Sequence, residues 1–146
     1  MHDVNKFDPA RYKFWTDDHV RFSDLDPLGH VNNNAIGQYF ENARALLFQD
    51  LTPEWPQGDQ IFVLAHIAID FRAELHMPAQ LRIGTLVTRV GRTSASGEYA
   101  VFEETKGGLR GIATCESVSV LIDMRTRKPA IIPENLRTAV KKYMAD

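Results

Sequence analysis

A polar stretch from Asp24 to Asn34 holds many of the residue types in this sequence that can do chemistry. It reads Asp-Leu-Asp-Pro-Leu-Gly-His-Val-Asn-Asn-Asn, so carboxylate, imidazole and amide groups lie close together along the chain. A carboxylate or an imidazole in such a loop can act as a general base or a nucleophile. Pro27 restricts the backbone of Asp26 to extended conformations, and Gly29 permits close approach of the backbone to a bound group. The loop is therefore a candidate catalytic site.

A buried helix is predicted directly after this loop. Apolar side chains recur at the spacing of one helix face, at Ile36, Phe40, Ala43 and Leu47. Three more apolar residues widen this face beyond that of a surface helix: Ala35, Tyr39 and Leu46. The first N–H groups of a helix have no partner within it and lie at the positive end of its dipole. The helix start can therefore stabilise an oxyanion. Thr52-Pro53 is predicted to end the helix.

Beyond the helix, the apolar period changes from 3.6 to 2, which predicts β-strands. After a short first strand at 16–22, four strands are predicted in succession, at about 61–73, 81–91, 97–105 and 109–123, and a terminal helix at 133–144. One face of the last strand carries small residues, which indicates close packing against a helix or a sheet: Gly111, Ala113, Cys115, Ser117 and Ser119. Consecutive strands joined by short turns pair antiparallel. The sequence therefore predicts an α+β fold, with one curved antiparallel sheet around one central helix.

Composition limits the function classes. A chain of 146 residues is expected to form one domain over 1–146. Its 17 basic and 19 acidic residues form no block of like charge, which argues against a nucleic-acid partner. One cysteine excludes an intramolecular disulfide and favours a reducing compartment. The N-terminus has no signal-peptide core and no apolar run is long enough to span a membrane. We expect a cytoplasmic protein that does not associate with membranes.

The loop and the order of elements together resemble the hotdog-fold acyl-CoA thioesterases of the 4-hydroxybenzoyl-CoA thioesterase type. In that family the loop pattern D-x-D-x-x-G, often continued by H-V-N-N, precedes the central helix, and residues 24–33 match it. The helix residues Tyr39-Phe40-Glu41 and the strand residues 69–72, followed by a proline turn, also resemble the family. The resemblance covers about residues 16–124. It implies a sheet of five or six antiparallel strands wrapped around the helix.

The resemblance also implies a function, the hydrolysis of an acyl-CoA thioester to a free acid and coenzyme A. It assigns Asp26 as the catalytic carboxylate, acting as nucleophile or general base, and an oxyanion-binding amide near Asn33. Gly29, His30 and Asn32 are the other candidates for binding the thioester. No metal and no cofactor is expected, since coenzyme A is part of the substrate. Family members pair through their sheet edges, so a homodimer or a homotetramer with sites at the subunit seam is expected.

Other interpretations of the same residues stay open. Asp and Asn are common as simple caps of turns and helix starts; we interpret Asp24 in this way, and Asn32 and Asn33 fit either role. A calcium loop is disfavoured because Leu28 occupies a ligand position and Ala35 stands where the closing Glu belongs. The five histidines show no zinc spacing.

Two other functions are compatible with the same fold. Hotdog enoyl-CoA hydratases carry a related D-x-N-P-L-H loop, but here Gly29 is inserted before His30, and Asp26 replaces the Asn. A non-catalytic acyl-binding module is the third possibility, against which the complete loop argues. The sequence leaves open the acyl group and whether coenzyme A or a carrier protein holds it.

Overall fold

The structure is a computed structural model and describes residues 5–51 and 58–146. In chain order its helices and strands are β1 (Phe14–His19), α1 (Asn33–Leu51), β2 (Gln60–Phe71), β3 (Gln80–Val90), β4 (Ser94–Thr105), β5 (Gly108–Asp123), β6 (Lys128–Pro129) and α2 (Glu134–Val140). All strands form one antiparallel sheet in the order β1-β3-β4-β5-β2, with β6 paired to the end of β5. The predicted α+β hotdog fold is confirmed.

The helix α1 packs against one face of the sheet, which we call the inner face. The predicted helix stripe is confirmed, since all four of its residues are buried. The main core joins α1 to residues of β3, β4 and β5, among them Ile83, Tyr99, Val101, Ala113 and Cys115. α1 ends at Leu51, and the predicted stop at Thr52-Pro53 lies outside the described residues. No helix among the described residues combines the length and the apolar composition needed to cross a lipid bilayer.

The first strand differs from its prediction. It spans Phe14–His19, and the chain then forms a short 3-10 helix at Phe22–Asp24. Phe22 is 80% exposed and does not share a buried face with Val20. The carboxylate of Asp24 accepts a hydrogen bond from the amide of Arg21, which favours a turn over continued pairing. Local capping therefore ends the strand earlier than its apolar residues indicate.

Two bulges change which side chains face the helix. The pairing of β2 with β5 shifts between Leu64 and His66, and an extra residue in a strand reverses the alternation beyond it. The alternating apolar residues of the predicted strand 61–73 therefore do not all lie on one face of the sheet. A second shift between β4 and β5 brings Ile112 into the main core and leaves Gly111 beneath the ring of Phe7. Gly111 is thus not part of the small face that meets α1.

The opposite, outer face of the sheet is covered by the N-terminal segment. Tyr12 packs with Phe102, Phe7 and Trp15 in an aromatic cluster, so the aromatic residues of the N-terminal segment lie against the sheet. An ideal Cβ on Gly84 would lie 2.7 Å from the Cβ of Tyr12. Glycine is therefore required there for close approach of the segment.

The predicted terminal helix is present, although its α-helical part is shorter, at Glu134–Val140. α2 is followed by a 3-10 turn at Lys141–Tyr143, and Leu136, Val140 and Tyr143 are buried. They pack near the C-terminal end of α1, where Leu47 belongs to the same cluster as Val140. α2 therefore closes the end of the core that lies farthest from the polar loop.

Candidate active site

Asp24 anchors the polar loop to the central helix. Its side chain is buried, and Oδ2 accepts hydrogen bonds from the Tyr39 hydroxyl at 2.5 Å and from the Arg21 amide at 2.9 Å. Its carbonyl oxygen accepts from the amide of Asn32 at 2.8 Å. Burial raises the pKa of Tyr39 above its usual value, and the hydrogen bond to Asp24 raises that pKa further. The structural interpretation of Asp24 agrees with these contacts.

Asp26 shapes the tight turn that follows. Its Oδ1 accepts from the amides of Leu28 at 2.9 Å and His30 at 3.3 Å, and its own amide donates to the carbonyl of His30 at 2.8 Å. Gly29 adopts φ +83°, a conformation that favours glycine. The carboxylate is partly exposed, and its Oδ2 has no hydrogen-bond partner among the described residues. One oxygen is thus held in place while the other is open to a ligand.

The two asparagines at the start of α1 have different surroundings. The side-chain Oδ1 of Asn32 accepts from the amide of Asn34 at 2.8 Å, which is the geometry of an N-cap residue. The amide of Asn32 is already bonded to Asp24. The amide of Asn33, the first residue of α1, donates no hydrogen bond within the described part of the chain. Of these two amides, that of Asn33 is therefore the one available to a bound oxygen.

A pocket of about 280 Å³ opens in front of this helix start. Its walls come from the loop and α1, through His30, Asn33 and Ile36, and from the end of β2 and the chain that follows it, residues 71–75. The two walls are tied together by a hydrogen bond from the amide of Val31 to the carbonyl of Leu75 at 2.8 Å. The pocket is therefore bordered both by Asn33, whose amide is unpaired among the described residues, and by His30.

The predicted site residues are not all in the pocket. His30 and Asn33 line it, whereas Asp26, Gly29 and Asn32 do not. The carboxylate of Asp26 is linked to the pocket through the amide of His30, whose ring forms part of the wall. In the single chain, Asp26 therefore lies beside the pocket rather than within it.

The pocket also contains charged groups that the sequence analysis did not select. Glu74 lies between two imidazoles, with its Oε2 3.4 Å from Nε2 of His76 and 3.7 Å from Nε2 of His30. The two rings meet edge to face at 5.2 Å, and Arg72 adds a cation to the wall. In the sequence, Glu74 was visible only as part of the polar face of a strand, and Arg72 also as one of several scattered arginines that could meet coenzyme A phosphates, none of which was selected. Their approach to the loop depends on a long-range contact that has no local signal.

The described stretches, 5–51 and 58–146, contain no group of three or more His, Cys, Asp or Glu side chains placed to hold a metal ion. The expectation that no metal is needed stays a prediction.

Residues 20–140 match the family described as the thioesterase-like superfamily, which is most of the chain. The chain belongs to the thioesterase-like superfamily. The match includes the polar loop, α1, the sheet from β2 to β6 and α2. The finer assignment to the 4-hydroxybenzoyl-CoA thioesterase type stays a prediction.

Solved structures of other proteins are similar to this superfamily member over nearly its whole length. A thioesterase from Thermus thermophilus, solved with coenzyme A and zinc, is 31% identical, with a TM-score of 0.77, over 90% of this chain and 93% of that one. The PA5185 protein of Pseudomonas aeruginosa is 27% identical with a TM-score of 0.83, over 94% and 95% of the two chains. A 1,4-dihydroxy-2-naphthoyl-CoA thioesterase from Synechocystis shares the fold at 24% identity and a TM-score of 0.75, over 87% and 94%.

A curated relative, the uncharacterized protein YsmA of Bacillus subtilis, is 30% identical over 88 residues. The aligned part is 60% of this chain and 60% of YsmA. The chain therefore spans less than two thirds of this relative.

Proposed function

We propose that this protein is an acyl-CoA thioesterase that hydrolyses an acyl-CoA thioester to a free acid and coenzyme A. The observation that carries the proposal concerns Asn33, which begins a buried helix, lines a pocket, and has an amide that donates no hydrogen bond within the described residues. The superfamily supports thioester hydrolysis as the reaction class. The solved relative that holds coenzyme A supports a ligand of this kind. No metal or further cofactor takes part in the proposed reaction.

In the proposed mechanism, the thioester carbonyl oxygen lies at the Asn33 amide, where the helix dipole stabilises the negative charge that develops on that oxygen. Asp26 uses its open Oδ2 either to take a proton from an attacking water or to attack the carbonyl carbon itself. The carbon–sulfur bond then breaks, and the thiolate of coenzyme A leaves and takes up a proton. In the nucleophilic route, water afterwards hydrolyses the acyl–aspartyl anhydride. His30, on the pocket wall, contacts the substrate near the reacting carbon.

The test is release of free thiol from a panel of acyl-CoA thioesters, with Asp26→Asn beside the wild type. The amide oxygen of Asn can still accept the hydrogen bonds from Leu28 and His30, so the turn is expected to persist. We expect kcat to fall roughly 10²- to 10⁴-fold, with stability unchanged within about 0.5 kcal/mol. Glu104→Gln, at an exposed site on the far end of β4, is the matched control.

Each alternative gives its own result in this panel. Undiminished turnover by Asp26→Asn would assign Asp26 to the turn alone and make Glu74 the next carboxylate to replace. Hydration of crotonyl-CoA without thiol release would indicate a hydratase. Tight binding of acyl-CoA without any turnover, across all chain lengths, would indicate a binding module.

We further propose that the protein acts as a homodimer joined through β2. This edge strand is 12 residues long, and Leu64, Ile67 and Phe71 on it are 43%, 39% and 45% exposed. An exposed, long and apolar edge is a template for pairing with another strand. The other edge, β1, has only six residues, including two adjacent aspartates, which disfavours pairing. A twofold axis makes two β2 strands run antiparallel and extends the sheet across both chains.

Sedimentation velocity tests the dimer. The wild type is expected to sediment with the mass of two or four chains, and Ile67→Lys with the mass of one, because a charge on this edge opposes pairing. Arg89→Lys, at an exposed position on β3, should leave the mass unchanged. A wild-type monomer at all concentrations would refute the proposed dimer.

A further inference from the structure

An imidazole and a carboxylate lie together on the wall of the pocket at the start of α1. His30 comes from the polar loop and Glu74 from the chain after β2, and both line the pocket. Oε2 of Glu74 is 3.7 Å from Nε2 of His30. The other described residues of the wall are apolar, apart from Asn33 and Arg72, and neither of these takes up a proton near neutral pH. The single chain therefore has a candidate base inside the pocket that is distinct from Asp26.

Backbone contacts hold the two groups at the pocket. The amide of Val31, the residue after His30, donates to the carbonyl of Leu75, the residue after Glu74, at 2.8 Å. The carbonyl of Glu74 accepts from Nη2 of Arg110, also at 2.8 Å. The loop and the chain after β2 are therefore joined at the residues next to the imidazole and the carboxylate. The approach of the two side chains is a consequence of this join.

The geometry suits a carboxylate that orients an imidazole. The separation of 3.7 Å is longer than a hydrogen bond, as is common in sites without substrate, where such contacts tighten on binding. The side chain of Glu74 is 64% exposed, so it has room to rotate toward the ring. A carboxylate that accepts from one ring nitrogen fixes the tautomer and leaves the other nitrogen as a proton acceptor. Here the nitrogen next to Glu74 is Nε2, so the acceptor is Nδ1.

The nucleophilic route of the proposed mechanism requires a base of this kind. After Asp26 has attacked the thioester, its oxygen belongs to the acyl anhydride and is no longer a base for the water of the second half-reaction. Oδ1 of Asp26 accepts from the amide of His30 at 3.3 Å. The acylated carboxylate and the imidazole therefore belong to the same tight turn. The wall of the adjoining pocket offers two groups for the task, His30 and Glu74.

We propose that His30, positioned by Glu74, is the catalytic base that hydrolyses the acyl–Asp26 intermediate. Nδ1 takes a proton from water while the water oxygen forms a bond to the acyl carbon. The bond between that carbon and the Asp26 oxygen then breaks, and its electron pair returns to the Asp26 carboxylate. The free acid leaves, and the imidazolium gives its proton to solvent. This inference rests on the proposed thioesterase function, with Asp26 as the nucleophile.

A second imidazole lies near the same carboxylate. Nε2 of His76 is 3.4 Å from Oε2 of Glu74, and its ring meets that of His30 edge to face at 5.2 Å. His76 does not line the pocket, whereas His30 does. A water in the pocket therefore contacts His30, and His76 acts only on the orientation of Glu74 and the neighbouring ring.

Rapid-quench kinetics separates the two half-reactions. The protein is mixed with excess of the acyl-CoA that the wild type hydrolyses fastest, free thiol is followed with time, and acid-quenched protein is weighed by mass spectrometry. In His30→Ala we expect a burst of one equivalent of thiol, then turnover slowed roughly 10²-fold or more, and protein that carries the mass of the acyl group. Glu74→Gln should show the same pattern with a smaller decrease. Asp26→Asn should show neither burst nor adduct.

Chemical rescue distinguishes a missing base from a structural change. Added imidazole should raise the steady-state turnover of His30→Ala and remove its adduct, after subtraction of the rate without protein. It should leave Glu74→Gln unchanged, because the His30 ring still occupies its place there. His19→Ala, at an exposed position on β1, is the matched control and should behave as the wild type does. Glu74→Gln decides the proposal if His30→Ala fails to fold.

Three results would overturn the inference while leaving the proposed function intact. The first is wild-type turnover in His30→Ala and Glu74→Gln. The second is slow thiol release by both variants without burst or adduct, which excludes a role in the second half-reaction. The third is an adduct in His76→Ala but not in His30→Ala. If the wild type releases no thiol from any acyl-CoA, the proposed function itself fails, and the inference fails with it.

Discussion

The hydrogen bond between Tyr39 and Asp24 offers a quantitative test of how the polar loop is held. Tyr39→Phe removes the hydroxyl that donates to the buried Asp24 carboxylate at 2.5 Å and keeps the ring, so no large cavity forms. A hydrogen bond to a charged group contributes about 1.5–3 kcal/mol. We therefore expect the free energy of unfolding at pH 7 to fall by about 2 kcal/mol. For a domain of this size that corresponds to a decrease in Tm of roughly 4–8 °C.

The pH dependence of the same variant adds a second, independent check. Burial and the Asp24 contact raise the pKa of Tyr39 in the folded state, above its unfolded value of about 10. The corresponding stability is present in full below about pH 10 and is lost as the pH rises toward the folded pKa. Tyr39→Phe lacks this component, so the difference in stability between the two proteins should shrink above pH 10.

Urea denaturation at a series of pH values measures both effects. Tyr143→Phe is the matched control, because the Tyr143 hydroxyl bonds to Asp50, an exposed carboxylate. We expect that control to lose less than about 1 kcal/mol. Equal stability of Tyr39→Phe and the wild type at pH 7, or a difference that stays constant through pH 11, would refute the reasoning about the Asp24 anchor.

Two further predictions concern packing. Gly84→Ala places a Cβ 2.7 Å from the Cβ of Tyr12 and should lower the free energy of unfolding, measured by urea titration, by about 1–3 kcal/mol. The control is Gly107→Ala, whose Cβ would lie 4.0 Å from its nearest neighbour and should leave the free energy of unfolding nearly unchanged. Burial raises the pKa of the Cys115 thiol to about 12, so Ellman's reagent at pH 8 should react roughly a thousandfold more slowly with the folded protein than with the unfolded one. Rapid labelling of the native protein would show that the thiol is accessible.

The order and type of the main elements were predictable from local pattern. Helix and strand periods are properties of neighbouring residues, so the stripe of α1 and the four strands from β2 to β5 were visible in the sequence. The connection between β4 and β5 is a tight turn, and Thr105 pairs with Gly108 across it. Element order and short connections then limited the topology to an antiparallel sheet around the helix.

The bulges and the early end of β1 were not predictable in this way. At the bulge between Leu64 and His66, β2 stays paired with β5 while its side chains change faces, and a change of this kind depends on the partner strand rather than on neighbouring residues. The close packing predicted from the small residues of β5 is found along only part of the strand. Ala113 and Cys115 do meet α1, whereas Ser117 and Ser119 border a cavity. Whether a small residue contacts α1 or borders a cavity depends on the side chains that α1 and α2 place opposite it.

For the candidate site, the sequence by itself determined the chemistry available in the loop. It placed Asp26, His30 and Asn33 within a few residues of each other and put them at the start of a buried helix. Tertiary structure decided which of these groups are open to a ligand. The carboxylate of Asp26 caps its own turn, while Asn33, whose amide is unpaired among the described residues, lines a pocket whose other wall includes Glu74. Residue types and local periodicity can be read directly from the sequence. Burial and hydrogen-bond partners instead depend on distant segments that only the folded chain brings together.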